Sequence, residues 1–299
     1  MKKVQVLERT LFSATLWLPA GECRMALQVV HGMTEHMGRY EQLVERLTAT
    51  GIAVAGFDLP GHGHHPGNPQ VASMGEQGWE RALEQIAAVN RELHDQFPGR
   101  PVALLGFSLG SFLVRDYLRT HCEEVSAAVI LGSGDQPSFV LSALKSLIKG
   151  QIRKVGFDQT SPLVRKLSFE TYNQKFKPNR TPADWLCSDP QELDAYLADP
   201  LSRQDISAGL FWQLLDGMQR TGKDPYETWN RNLPVLLLSG TDDPVGDMGK
   251  GMQRVAQKMK AHGMTNVKLE LIPHARHDLL HEVKSGAAKS TLEILLSWL

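Results

Sequence analysis

Short apolar runs rich in branched residues alternate along this chain with longer segments whose apolar positions recur at three-and-four spacing. The runs 26–30, 52–57, 102–105, 127–131, 235–239 and 267–272 predict strands. Between them, 40–49, 79–97, 112–119, 248–262 and 284–299 predict helices. Strands that are apolar on both faces belong in a mostly parallel sheet covered by helices on both sides, so the pattern predicts an α/β fold. A further strand pair is expected at the start. Lys2 and Lys3 precede an apolar stretch, Leu11 to Leu18, but Glu8 and Arg9 interrupt it and no small-residue cleavage site follows Pro19, unlike a secretory signal.

The alternation stops between Gln136 and Asn232. There, helix-like segments follow one another, punctuated by Pro137, Pro162, Pro178, Pro182, Pro190, Pro200 and Pro225. This predicts a helical insertion, 136–231, in a core formed by 1–135 and 232–299. The insertion is electrically uneven: 141–180 carries nine Lys or Arg against two acids, and 181–230 three against nine.

Composition narrows the classes. In 299 residues, 42% are apolar and 22% charged, which is ordinary for a globular chain and excludes disorder, collagen and disulfide scaffolds as descriptions of the whole. Lys plus Arg total 32 against 33 Asp plus Glu, a net charge of -1, so no global field exists to hold a nucleic acid. No apolar run approaches the ~20 residues of a membrane-spanning helix. Cys23, Cys122 and Cys187 are odd in number and lack paired spacing, which suits free thiols in a reducing, cytoplasmic setting.

Candidate chemistry begins at Gly106-Phe107-Ser108-Leu109-Gly110, which follows a predicted strand and leads into a helical pattern. In that context G-x-S-x-G is a nucleophile elbow, a tight turn that lifts the serine oxygen clear of the backbone. A serine hydroxyl needs a base to take its proton and an acid to orient that base. The acid is expected after the strand 235–239, where Gly240-Thr241-Asp242-Asp243-Pro244 offers Asp243, with Asp242 as rival. Two bases stand in Pro273-His274-Ala275-Arg276-His277-Asp278, and chemistry alone does not choose between His274 and His277. His262 and His281 read as surface or packed residues. His31-Gly32-Met33 closes the strand 26–30, where the backbone N–H groups of Met33 and Leu109 would form an oxyanion hole.

Four motifs in order resemble the α/β-hydrolase superfamily, and within it the monoglyceride lipase, lysophospholipase and serine aminopeptidase-like group. They are His31-Gly32-Met33-Thr34-Glu35-His36 with Arg39-Tyr40, then Asp58-Leu59-Pro60-Gly61-His62-Gly63, the Ser108 elbow, and Ala275-Arg276-His277-Asp278-Leu279-Leu280-His281-Glu282. The resemblance implies His277 as the base, strengthens Asp243, and implies a helical cap where the insertion lies. One departure stands out: His64-His65-Pro66-Gly67 follows Gly61-His62-Gly63, where the family usually has a polar residue and then serine. His62, His64 and His65 lack a carboxylate or cysteine at ligand spacing, so a structural loop is expected there and neither metal nor cofactor.

The expected function is hydrolysis of fatty-acid esters, monoacylglycerol- or lysophospholipid-like, by Ser108, His277 and Asp243 through an acyl-enzyme. The partner is then a small acyl ester, with peripheral contact to a lipid surface suggested by the basic half of the insertion. A peptidase or arylesterase with the same triad is the rival enzyme, and a non-catalytic ligand-binding protein the rival of another class. Phe139, Val140, Leu144, Leu147, Ile148 and Ile152 predict an amphipathic helix whose one apolar stripe either roofs the pocket above Ser108, supplying a slot for an acyl chain, or simply packs the helix on the core.

Overall fold

The computed structural model describes residues 2–9, 12–65, 70–202, 205–223 and 226–299; Leu11, Pro66, Gly67 and Pro225 of the stretches above lie outside the described residues. The strands are β1 (Lys2–Arg9), β2 (Phe12–Leu18), β3 (Met25–Val30), β4 (Ile52–Phe57), β5 (Val71–Ala72), β6 (Val102–Phe107), β7 (Ala127–Leu131), β8 (Asp205–Ile206), β9 (Val235–Gly240) and β10 (Val267–Ile272). The main helices are α1 (Glu41–Ala49), α2 (Gly78–Gln96), α3 (Leu109–His121), α4 (Ser138–Val155), α5 (Pro190–Ala198), α6 (Ala208–Lys223), α7 (Lys250–Ala261) and α8 (Ala287–Trp298).

Eight strands form one sheet in the order β1-β2-β4-β3-β6-β7-β9-β10. The expected N-terminal pair, β1 with β2, is antiparallel, and β2 joins β4 antiparallel; every other pairing in this sheet is parallel. Strand side chains alternate between two cores. Ala26, Leu104, Ile130 and Leu237 face the side of α2, α3 and α7, while Leu27, Leu105, Val129 and Leu238 face α1 and α8. Both faces are therefore apolar and covered, which is why these strands read as continuous apolar runs.

Two expected helices start later than the periodicity suggests. The stretch 248–262 becomes helical only at Lys250, because Asp247, Met248 and Gly249 have φ of 53°, 56° and 82°, outside the helical region. The stretch 284–299 begins at Ala287 after Gly286 at φ 78°. The pair β5 with β8, which ties the loop after Gly63 to the insertion, had no signal in the sequence because it is only two residues long on each side.

Between β7 and β9 the chain leaves the sheet and carries α4, α5, α6 and short helical turns. The stripe on α4 is not a pocket roof. Leu141 and Ile148 are buried, with Leu144 and Ile152 packed beside them, in one core with Leu210, Phe211 and Leu215 of α6. Phe139 and Leu147 point away from that core, 77% and 45% exposed. Packing on the core is therefore what the buried residues of the stripe do, while Phe139 and Leu147 fall on the opposite side of the helix at 100° per residue. Among the described residues no helix is long and apolar enough to cross a membrane.

Candidate active site

Ser108 stands in the turn between β6 and α3 at φ 51°, ψ −117°, a strained conformation for a residue with a side chain. Two glycines make the turn feasible. A Cβ on Gly106 would lie 2.4 Å from the Gly110 carbonyl oxygen, and one on Gly110 would lie 2.0 Å from that of Val30. The turn is pinned by Ser108 N–H donating to Leu131 O at 3.0 Å, and the Ser108 carbonyl accepts from Ser111 N–H at 2.9 Å.

Two neighbouring strand ends bring partners to that serine. His277, just past β10, has Nε2 2.8 Å from Ser108 Oγ and Nδ1 2.9 Å from Asp243 Oδ1. Asp243, past β9, also accepts from Val245 N–H at 2.9 Å and from Ser239 Oγ at 3.2 Å. An ionised carboxylate only accepts, so Nδ1 carries the ring proton and Nε2 is left to accept from the serine. Both side chains are buried, at 1% and 0% exposure, and the imidazole contacts the rings of Phe107 and Trp185, at centroid distances of 4.9 and 5.2 Å.

The rivals lie elsewhere. His274 is exposed, its N–H donating to Thr241 Oγ1. Asp242 accepts from Thr241 Oγ1 at 3.2 Å, His262 packs its Nδ1 on Lys258 O at 2.8 Å, and neither touches Ser108 or His277 through a described hydrogen bond. His62 Nδ1–H donates to Pro60 O at 2.9 Å and its ring meets that of His31 edge-on, while His64 is exposed. Among the described residues no group of three or more His, Cys, Asp or Glu is placed to hold a metal ion.

Past β3, His31, Gly32 and Met33 form a turn beside the serine elbow, where Gly110 approaches Val30 and His31. His31 Nε2 accepts from Leu59 N–H at 2.8 Å, so the proton is on Nδ1, donated to Gly32 O at 2.7 Å; burial lowers its pKa and keeps it neutral. Gly32 N–H donates to Glu35 Oε1 at 2.6 Å, as does the Tyr40 hydroxyl at 2.7 Å. Arg39 links Glu35, at 3.1 Å, to Asp278, at 2.7 Å, and Asp278 holds His281 Nδ1 at 2.9 Å. Burial would push Asp278 up, but the charges of His281 and Arg39 outweigh it and hold the carboxyl well below the usual range. Burial would likewise lower His281, and Asp278 outweighs it, leaving the pKa raised. His281 Nε2 also faces the Arg39 carbonyl at 3.2 Å, so both ring nitrogens meet acceptors, as an imidazolium requires.

This buried network was quoted in the motifs but given no task by sequence reasoning. The available signal was five charged or titratable residues, Glu35, Arg39, Asp278, His281 and Glu282, crowded into the two motifs that contain His277 and Met33. Glu282 is fully buried and accepts from Arg276 N–H at 3.0 Å and Ser188 N–H at 2.9 Å.

Above the serine, residues 184–199 of the insertion are fixed to both core loops. Asp278 N–H donates to Leu186 O at 2.7 Å and Lys284 N–H to Asp189 at 3.0 Å. On the other side, His36 Nε2–H donates to Asp199 at 2.6 Å, since His36 Nδ1 already accepts from Gly38 N–H. A cavity of about 360 Å³ opens in the insertion, with Phe169, Trp185, Tyr196 and Leu197 as its apolar wall and Arg165, Lys177 and Glu170 among its polar lining. Arg165 is paired to Asp205, also in the lining, at 2.7 Å.

A family model described as serine aminopeptidase, S33, matches residues 21–284. The chain belongs to that family. The S33 match spans all four motif regions and the insertion. Among similar curated proteins, the monoglyceride lipase homolog of Monkeypox virus is 23% identical over 95% of this chain and 92% of its own. The monoglyceride lipase of Homo sapiens is 28% identical over 90% and 82%. A thermostable carboxyl esterase from Bacillus coagulans, solved with glycerol, superposes with a TM-score of 0.86 at 22% identity, over 99% of this chain and 98% of that one; it attests the α/β-hydrolase fold.

Proposed function

We propose that this S33-family member is a serine hydrolase of fatty-acid carboxylic esters, monoacylglycerol- or lysophospholipid-like. The observation that carries the reading is the hydrogen-bonded line Ser108, His277, Asp243 at three strand ends. His277 Nε2 takes the Ser108 proton as Oγ attacks the ester carbonyl; the imidazolium formed is stabilised by Asp243 and then protonates the leaving alcohol. The oxyanion is held by the N–H groups of Met33 and Leu109, each contributing about 3 kcal/mol. Water, activated by the same imidazole, releases the acyl group. Residues 1–135 and 232–299 act as the catalytic core and 136–231 as a cap. No step draws on a metal or cofactor, and the three free thiols fit a cytoplasmic setting.

The relatives named as monoglyceride lipases support the ester reading; the aminopeptidase description of the family favours the rival, a peptidase. A fluorophosphonate probe followed by a panel of monoacylglycerols, lysophospholipids, short p-nitrophenyl esters and aminoacyl amides separates them. Labelling of Ser108 with fastest turnover of a monoacyl lipid is expected. Fastest turnover of an aminoacyl amide would replace the lipid reading by the peptidase, fastest turnover of the short aryl esters by an arylesterase, and absence of labelling would leave a ligand-binding protein.

The outer face of α4 supports peripheral contact with an anionic lipid surface. Exposed Phe139 and Leu147 lie there with Lys149, Arg153 and Lys154, and α4 contains no carboxylate. Apolar residues among exposed cations are the composition of an interfacial helix.

A further inference from the structure

Two rings in the wall of the insertion's cavity each touch a different part of the catalytic apparatus. Trp185 lies against His277, and behind it Phe169, another wall residue, stacks at 5.6 Å and 14°. Phe107 also lies against the imidazole, at 4.9 Å between centroids, so two aromatic rings crowd the base and rotation out of its alignment meets them. Tyr196 reaches the oxyanion turn. Thr34, next to Met33, is held at φ 63°, and its hydroxyl donates to the Met33 carbonyl at 2.5 Å. That leaves Tyr196 OH as donor to Thr34 Oγ1 at 2.8 Å, while the Arg39 guanidinium lies 5.0 Å over the Tyr196 ring.

We propose that Trp185 and Tyr196 are positioning residues that transmit occupancy of this cavity to the base and to the oxyanion turn. A remote part of the substrate that fills the space between them tightens both holds at once. Trp185 keeps Nε2 of His277 on the serine, and Tyr196 keeps Thr34, and with it the Met33 N–H, in its strained turn. Binding energy gathered away from the ester is then expressed in the chemical step, so filling the cavity raises kcat as well as lowering KM. The cavity's volume is in the range of small-molecule sites. Arg165 is already paired with Asp205, and the aromatic wall is the part that grips an apolar group, with Glu170 and Lys177 on its polar side.

The inference rests on the ester-hydrolase reading, and the test keeps the two apart. Wild type, Trp185→Ala, Trp185→Phe and Tyr196→Phe are assayed on monoacyl esters from acetyl to palmitoyl, with folding checked by thermal melts and the serine by fluorophosphonate labelling. The wild type is expected to gain at least tenfold in kcat as the chain lengthens. Trp185→Ala loses most of that gain, and Trp185→Phe, which restores a ring against the imidazole, recovers it to within about threefold. Tyr196→Phe keeps the wall and the Arg39 contact but loses the hold on Thr34; its kcat falls about tenfold with KM within twofold. Either of two results overturns the proposal: Trp185→Ala raising KM alone while the kcat gain persists, or Tyr196→Phe keeping wild-type kcat. Should Trp185→Ala fail to fold, Tyr196→Phe decides alone. A wild type that does not label, or does not cleave esters, refutes the ester-hydrolase reading instead.

Discussion

Ser108, Asp243 and His277 each hang from the end of a parallel strand, whereas the segment 184–199 of the insertion meets the loops beside them largely through side-chain hydrogen bonds. The strand ends have little freedom. Their backbones continue a hydrogen-bonded ladder, and the glycines at 106 and 110 sit where a Cβ would strike backbone. That segment is tied by carboxylates and imidazoles, Asp199 to His36, Glu282 to Ser188 and Asp189 to Lys284, while α6 packs Leu210, Phe211 and Leu215 into the same core as α2 and α3. The Ser108–His277–Asp243 line is thus held by the sheet, whereas the cavity wall at Trp185 and Tyr196 belongs to a segment held mainly by polar ties.

The sharpest way to break this comparison is at the strand ends. Ser108→Ala, His277→Ala and Asp243→Asn should each lower kcat by about 10⁴-fold or more, and the losses should not add, because the three act as a unit. Asp242→Asn and His274→Ala, whose side chains lie outside the line, should stay within about twofold. An inactive His274→Ala beside an active His277→Ala would refute the assignment of the base. Activity should also survive a strong chelator; loss that added zinc reversed would count against the metal-free mechanism.

Next in size is the buried network joining the two loops. Asp278→Asn leaves Arg39 and His281 with less compensating charge in a buried place, a change that typically costs about 3–5 kcal/mol. Urea unfolding should report that loss, and a change under 1 kcal/mol would mean that the network contributes alignment without stability.

How much of this was readable beforehand follows from burial. The central parallel strands were legible because both of their faces are apolar, and Ser108 and Asp243 because each follows such a strand in a motif, whereas His277 follows the edge strand β10 with its Lys268 and Glu270. Choosing His277 over His274 needed the family resemblance. The role of Glu35 and Arg39 was not legible, since their partner Asp278 lies 239 residues from Arg39 in the chain. The stripe on α4 misled because Phe139 and Leu147 match a helical period without fixing which neighbour each one meets. Trp185 and Tyr196 carry no local signal at all; only the folded insertion brings them to His277 and Thr34.

A smaller effect concerns pH. His281 has a raised pKa, so its contribution to stability is complete below its unfolded value of about 6.5 and is lost as pH rises through the higher folded value. Asp278 has a depressed pKa, so its contribution is complete above about 3.9 and is lost as pH falls toward its folded value. Stability from this pair should be greatest between about pH 4 and 6.5 and decline on the alkaline side. His281→Gln should remove the alkaline decline. Melting temperatures from pH 5 to 9 for both proteins check this, and an unchanged slope in the variant would assign the decline to other groups.

The mildest effect is expected on the outer face of α4, where the comparison can be sharpened without touching the site. Substituting Phe139 and Leu147 together by Ser removes exposed apolar surface only, so stability should change by no more than about 0.5 kcal/mol. Turnover of a soluble short-chain ester should equal wild type, because neither residue belongs to the packed stripe of Leu141, Leu144 and Ile148. Binding to vesicles containing phosphatidylglycerol should fall, and should fall further with Lys149, Arg153 and Lys154 changed to Gln, since each cation near an anionic surface contributes about 1 kcal/mol. Flotation with anionic and with neutral phosphatidylcholine vesicles separates the two contributions: added salt should weaken the cationic one and leave the apolar one. If all variants float like wild type, the exposed apolar residues of α4 do not meet a lipid surface. Selection by the insertion would then rest on its inner cavity alone.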